Sequence, residues 1–202
     1  MQQKTVWNKI APLWNQYKTL PSSHVKQFLK GKKGKVLYMG CGSGRNFINK
    51  KNITYYGVDF SEQMLELAEQ NASKKNIQAV LFKSNLNKLP FNNNFFDSAI
   101  YINALHCITT KKAREDSLKE LYRTLKKGKQ ALITIWNKNQ KKFKNKTKNH
   151  YVGFNLNEET GEKVQRYYYL YDEDEITKLL KKVGFKIKEV FVHRSLCITV
   201  EK

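Results

Sequence analysis

The chain has 202 residues, 40% of them hydrophobic, and a formal charge of +21. That is enough apolar material for one core, so a single domain over residues 1–202 is expected, and no run approaches the roughly 18 apolar residues of a membrane span. Met1-Gln2-Gln3-Lys4-Thr5-Val6-Trp7 lacks the apolar stretch of a signal peptide, which implies a soluble, cytoplasmic protein.

In chain order, Val6, Trp7, Ile10, Leu13 and Trp14 are spaced for one helical face around Pro12, and a second helix follows Pro21-Ser22-Ser23 and ends near Gly31. These form an N-terminal helical segment over residues 1–30. Strands are then expected at Lys35–Met39, Thr54–Asp59, Ala79–Lys83, Phe95–Ile102 and Gln130–Trp136, with a hairpin of Lys186–Val192 and Ser195–Glu201 turned at His193-Arg194. Helices are expected at Arg45–Lys50, at Glu62–Ala72 behind an N-cap Ser61, at Lys112–Leu125, and at Glu173–Val183 stopped by Gly184. This alternation predicts an α/β fold: a Rossmann-like, seven-stranded, mostly parallel sheet with a C-terminal antiparallel hairpin and helices on both faces. Residues 138–162 show weak patterning and read as a basic insertion loop, whose length suits a lid or binding surface.

Cys41, Cys107 and Cys197 are far apart, odd in number and without a C-x-x-C pair, so reduced thiols and no metal site are expected. The charge invites a polyanionic partner. Only five of the 38 basic residues are Arg, and Asn is abundant, a balance that an AT-rich genome writes whatever the function. Placement says more than the total. Lys138 to Lys148 carries six lysines around Phe143 and reads as a mobile basic loop near the site.

The chemistry concentrates in Val36-Leu37-Tyr38-Met39-Gly40-Cys41-Gly42-Ser43-Gly44 and in Tyr55-Tyr56-Gly57-Val58-Asp59. An apolar strand enters three alternating glycines, and a second strand ends in a carboxylate. Glycines let the backbone approach a nucleotide-type cofactor, and the acid suits a pair of ribose hydroxyls. The G-x-G-x-G spacing departs from the G-x-G-x-x-G of dinucleotide sites. Asp59 has an alternative role as a cap for the helix that follows.

These segments resemble the first two motifs of the Rossmann-like S-adenosylmethionine-dependent methyltransferases. The resemblance implies S-adenosyl-L-methionine as cofactor, held by Gly40, Cys41, Gly42 and Gly44, by Asp59 and Phe60, by Asn85 and Leu86 at the adenine, and by Asn103. Amides near Arg45-Asn46, at a helix N-terminus, are expected to face the cofactor carboxylate. Asp97 is read as structural. Two departures stand out: Tyr38 replaces the acid of the first motif, and Asn85 replaces the acid at the adenine.

Within that class, Ala131-Leu132-Ile133-Thr134-Ile135-Trp136-Asn137-Lys138-Asn139-Gln140 resembles the fifth-strand signature of the wobble-uridine tRNA carboxymethyl methyltransferases, which include the methyltransferase domain of AlkB homologue 8. Trp7-Asn8-Lys9-Ile10-Ala11-Pro12, Asn103-Ala104-Leu105-His106 and Arg166-Tyr167-Tyr168-Tyr169-Leu170-Tyr171 agree with it. Departures fall at Gln16, Leu20-Pro21, His106-Cys107 and Ser195-Leu196.

The resemblance implies methyl esterification of a carboxymethyl group on a wobble uridine, and a heterodimer with a small zinc-binding activator protein at the sheet edge. Tyr38 makes dependence on that activator more expected. A carboxylate is already ionised at neutral pH, so the reaction needs positioning rather than a base. His106 and Arg166 are the candidates for positioning the substrate. His106 could equally be a strand-end core histidine, and Arg166 could instead neutralise Asp172 to Glu175. Tyr168 is a candidate to stack the base, with Lys141, Lys142 and Lys144 on phosphates. Two alternatives remain: a small-molecule methyltransferase of the same fold, and a non-catalytic RNA-binding subunit.

Overall fold

β1 (Gly34–Met39) is the axis of the fold, and its last four residues are buried. In this computed structural model, which describes residues 1–17 and 19–202, β1 lies between β2 (Ile53–Asp59) and β4 (Phe96–Ile102), parallel to both. With β3 (Ala79–Lys83), β5 (Leu125–Ile135), β8 (Lys186–Val192) and β9 (Leu196–Glu201) they form one sheet, ordered β3-β2-β1-β4-β5-β9-β8. β9 runs antiparallel to both β5 and β8, so the expected seven-stranded, mostly parallel sheet with a terminal hairpin is what forms. The strand order reverses between β1 and β4, and in such sheets the crevice at the carboxyl ends of those two strands takes the ligand.

Side chains alternate across β1, so it feeds two cores. Leu37 and Met39 join Tyr101, Leu118, Leu121, Ile176 and Leu180 beneath α4 (Lys111–Thr124) and α5 (Glu173–Val183). Val36 and Tyr38 join Val25, Leu29, Tyr55, Ala68 and Ile100 beneath α2 (Ser23–Phe28) and α3 (Glu62–Lys74). The caps follow their sequence signals. Ser61 Oγ accepts the Met64 amide at 3.2 Å, and Gly184 ends α5 at φ 114°.

Two expectations are corrected. Residues 45–46 form a turn and 47–50 run on without regular structure, so no helix forms. Their polar groups take partners from elsewhere in the chain instead of from each other: Arg45 Nε donates to Leu20 O, Ser22 N donates to Asn46 Oδ1, and the Tyr55 hydroxyl bridges Ile48 N and O. Nor are residues 138–162 one loop. A 3₁₀ turn at Lys141–Phe143 leads into β6 (Asn149–Asn155), which pairs antiparallel with β7 (Lys163–Tyr169). The turn is anchored by Phe143, buried and stacked on Trp136 at 5.1 Å.

α1 (Gln3–Tyr17) carries Pro12 inside it and packs Val6, Ile10 and Ala11 against Met64 of α3 and Val164 of β7. Gln3 Nε2 donates to Gln165 O, and Tyr167 N donates to Gln3 Oε1. α1 and the β6–β7 hairpin thus cover the crevice together. No helix among the described residues is long and apolar enough to cross a membrane.

Candidate active site

A cavity of about 530 Å³ opens at the carboxyl ends of β1, β2 and β4. Its floor is the glycine loop. Gly40 has φ 62°, and a Cβ there would collide with Ala104, so only glycine lets the loop pass this close to the end of β4. The Asp59 carboxylate then ties the loop to β2, accepting Gly42 N at 2.9 Å through one oxygen and Ser61 N at 3.0 Å through the other. Asp59 thus braces the turn before α3 and also lines the cavity. Burial pushes its pKa up, against the pull of the Ser61, Gly42 and Phe60 amides.

Where the first motif ordinarily carries an acid, Tyr38 is buried, and its hydroxyl accepts Asn46 Nδ2 at 2.6 Å. Because Asn46 Oδ1 in turn accepts the Ser22 amide at 3.0 Å, a neutral chain links β1, the glycine loop and α2. Tyr38 and Asn46 both line the cavity.

The sequence-predicted cofactor residues Gly40, Cys41, Gly42, Asp59, Phe60, Asn85, Leu86 and Asn103 all line it. Gly44 does not, for a Cβ there would sit 2.6 Å from the Phe47 ring, so its role is to admit Phe47 beside α3. The expected helix N-terminus at Arg45-Asn46 is absent, although both residues line the cavity from the turn. Asn103 holds φ 52°; its amide donates to Thr134 and its Oδ1 accepts Ser195 Oγ at 3.1 Å. Asp97 lies at the opposite end of β4, bonded to the Lys35 amide and paired with Lys126, which fits a structural role.

The far wall is aromatic. Trp136 and Tyr168 stack at 4.1 Å, and His106 packs on both at 5.4 Å. His106 is fully buried, its Nδ1 accepts Trp136 N, and burial followed by the Lys142 charge lowers its pKa to about 3. It is therefore a neutral imidazole with hydrogen on Nε2.

Arg166 lies behind this wall, outside the cavity lining, with its guanidinium over Trp14, Phe154 and Tyr168. It does not neutralise the acids before α5. Lys148 pairs with Asp172 and Glu175 instead, at 3.0 and 2.6 Å. Lys141, Lys142 and Lys144 are exposed on the 3₁₀ turn and its flank, and none lines the cavity, though Lys142 Nζ sits 4.7 Å over Trp136. Sequence reasoning missed Trp7, Trp14 and Gln3 as lining residues. The only sequence signal for them was the placement of two indoles on the apolar face of α1.

The residues suit a nucleoside-type cofactor, with a bare glycine cradle, a buried carboxylate beside it, and amide side chains at Asn85 and Asn103. Residues 36–128 match the family described as "Methyltransferase domain". The chain is 34% identical over 133 residues to a tRNA (carboxymethyluridine(34)-5-O)-methyltransferase of Saccharomyces cerevisiae, covering 65% of this chain and 46% of that protein. It is 30% identical over 139 residues to a probable tRNA methyltransferase 9B of Mus musculus, covering 68% and 30%. The chain thus spans less than half the length of either relative. The fold matches a SAM-dependent methyltransferase of Methanosarcina mazei with TM-score 0.76 at 22% identity over 91% of this chain and 98% of that one. The CcbJ methyltransferase of Streptomyces caelestis matches with TM-score 0.78 at 16% identity, over 100% and 99%. With this sheet order, this glycine loop and this match over residues 36–128, the fold is that of the Rossmann-like methyltransferases and the cofactor is S-adenosylmethionine.

Proposed function

We propose that the protein methylates tRNA in the cytoplasm, esterifying a carboxymethyl group on a wobble uridine of the anticodon loop. The likeness to a tRNA (carboxymethyluridine(34)-5-O)-methyltransferase supports the substrate class. The observation that carries the reaction type is the state of the titratable groups along the cavity. His106 has no free lone pair to act as a base, burial holds the Cys107 thiol protonated, and Asp59 is occupied by backbone amides. A site so furnished suits an acceptor that is already ionised, as a carboxylate is.

The cofactor supplies an electrophilic methyl group on a sulfonium. Gly40, Cys41 and Gly42 would hold its methionine part, Asp59 its ribose hydroxyls, and Asn85 and Leu86 its adenine. The protein's own contribution is to orient the acceptor and exclude water, worth up to about 7–11 kcal/mol of barrier when the geometry is good. His106 positions the substrate, Arg166 backs Tyr168 from outside the cavity, Tyr168 and Trp136 wall the base, and Lys141, Lys142 and Lys144 contact phosphates. Bound carboxylates and phosphates both suit this positive flank.

A small zinc-binding activator would pair with the sheet edge at β3, where Val80 is 44% exposed. The other edge, β8, carries Lys186 and Lys188, which discourage strand addition.

Transfer of labelled methyl from S-adenosylmethionine to bulk tRNA, with activator present, tests the reading. Label released by brief mild alkali is the expected result. Base-stable label moves the target to a base or ribose atom, and no label rejects tRNA. A small-molecule acceptor is the second reading, supported by the cover that α1 and the hairpin place over the cavity. It predicts full turnover after Lys141, Lys142 and Lys144 are neutralised.

A further inference from the structure

The tetrapeptide Lys-Lys-Gly-Lys occurs twice in the chain, at Lys32–Lys35 and at Lys126–Lys129. The first copy runs into β1, and the second stands at the start of β5. There Leu125 pairs with Phe96 and Gln130 with Ser98, so the four residues between them bulge out of the ladder. The glycine of each copy has positive φ, 86° at Gly34 and 72° at Gly128, which makes a turn of each.

Only the fold brings the copies together. β4 lies between β1 and β5, and its Asp97 accepts Lys35 N at 2.9 Å through one oxygen and pairs with Lys126 Nζ at 2.7 Å through the other. A Cβ at Gly34 would collide with that carboxylate. Lys32 Nζ reaches across to Gln130 Oε1 at 2.8 Å, and burial together with the Lys129 charge lowers its pKa. Among the described residues, Lys126–Asp97 is the single ion pair of either copy, and Lys33, Lys127 and Lys129 are exposed. Six ammonium groups thus gather about one carboxylate. The two lobes stand two strands apart, about 10 Å, comparable with the screening length in dilute salt. Their charges therefore repel one another and add to one positive field, which a polyanion relieves.

We propose that the two Lys-Lys-Gly-Lys lobes form a second RNA contact, gripping backbone phosphates of the tRNA at the pole of the sheet opposite the methyl-transfer cavity. This rests on tRNA as the partner, not on the ester chemistry. β1 and β4, six and seven residues long, separate the lobes from the glycine loop by roughly 20 Å. The lobes therefore hold RNA flanking the nucleotide that is methylated. Lysines are point charges without a guanidinium fork, so the contact reads charge and not base sequence.

The test is binding of bulk tRNA across a salt series by the full chain and two triple variants. Lys33→Gln/Lys127→Gln/Lys129→Gln removes the exposed lysines of the lobes. Lys74→Gln/Lys119→Gln/Lys178→Gln removes three exposed lysines from α3, α4 and α5, with the same loss of net charge. The lobe variant should bind tRNA more weakly, with a log–log salt slope lower by about 2–3, at 0.7–0.9 per lost phosphate contact. Its KM for tRNA should rise while kcat and S-adenosylmethionine affinity hold. The scattered variant should stay near native.

Equal slopes in the two variants overturn the proposal, because the charge then acts diffusely. An unchanged tRNA slope with lost binding to phosphatidylserine vesicles assigns the lobes to a lipid surface and overturns it too. The labelled-transfer assay separates this contact from the wobble-uridine reading. Alkali-labile label with lobe-independent binding leaves that reading standing without the second contact. Lobe-dependent tRNA binding without label leaves the contact standing and rejects that reading.

Discussion

The Tyr38 hydroxyl accepts a 2.6 Å hydrogen bond from Asn46 Nδ2, so a neutral pair occupies the position where related glycine loops lean on an acid. Both side chains are buried and border the cavity. Tyr38→Phe leaves the Asn46 amide without its partner. We expect a stability loss of about 1–3 kcal/mol, read as a lower midpoint in chemical unfolding, with cofactor affinity reduced in step. Unchanged stability would show that the pair does not support the loop.

Among the described residues, Asp59 is the single carboxylate bordering the cavity, and both its oxygens are engaged by backbone amides. Asp59→Ala should weaken S-adenosylmethionine by roughly tenfold or more in calorimetric titration, through loss of charged hydrogen bonds and loosening of Gly42. Retained affinity would reassign Asp59 to bracing alone, whereas no measurable affinity in the native chain would favour the non-catalytic alternative.

His106 titrates in the unfolded chain near its ordinary pKa of 6.5 but near about 3 when folded, because burial disfavours its charge. The unfolded state therefore binds one more proton between these values. Its contribution to stability is present above pH 6.5 and is lost as pH falls from 6.5 toward 3. His106→Asn should make the acid limb of the stability-against-pH curve shallower by one proton's slope. In the native enzyme, the pH profile of activity between 6 and 8 should show no inflection from this imidazole.

Lys141, Lys142 and Lys144 are exposed beside the aromatic wall without lining the cavity. Replacing all three with Gln should weaken tRNA binding across sequences and flatten its salt dependence, by a slope of about 0.7–0.9 per lost phosphate contact. Affinity for S-adenosylmethionine should not change. An unaltered salt slope would remove this turn from the RNA-binding surface.

At the β3 edge, Val80→Asp should abolish any gain in solubility or cofactor affinity produced by the activator, while leaving the isolated chain unaffected. Equal solubility and affinity of the native chain with and without activator would dismiss the partner.

The sequence by itself determined what local chemistry controls. Alternating apolar runs set the seven strands, Ser61 and Gly184 set helix boundaries through capping and a positive φ, and the glycines with Asp59 marked the crevice at the carboxyl ends of β1 and β2. Only the tertiary structure decided the rest. Residues 45–50 have helix-compatible composition, yet Leu20, Ser22 and Tyr55 engage their polar groups and hold them in a turn and an irregular segment. Residues 149–155 become a strand because β7 offers a ladder. Lys148, not Arg166, neutralises Asp172 and Glu175, and among the described residues the Arg166 guanidinium forms no ion pair but lies over Trp14, Phe154 and Tyr168. Trp7 joins the site because α1 docks on β7, more than 150 residues away along the chain. Such contacts are invisible to any local window, because hydrogen-bond satisfaction and burial depend on which distant segment arrives to supply a partner.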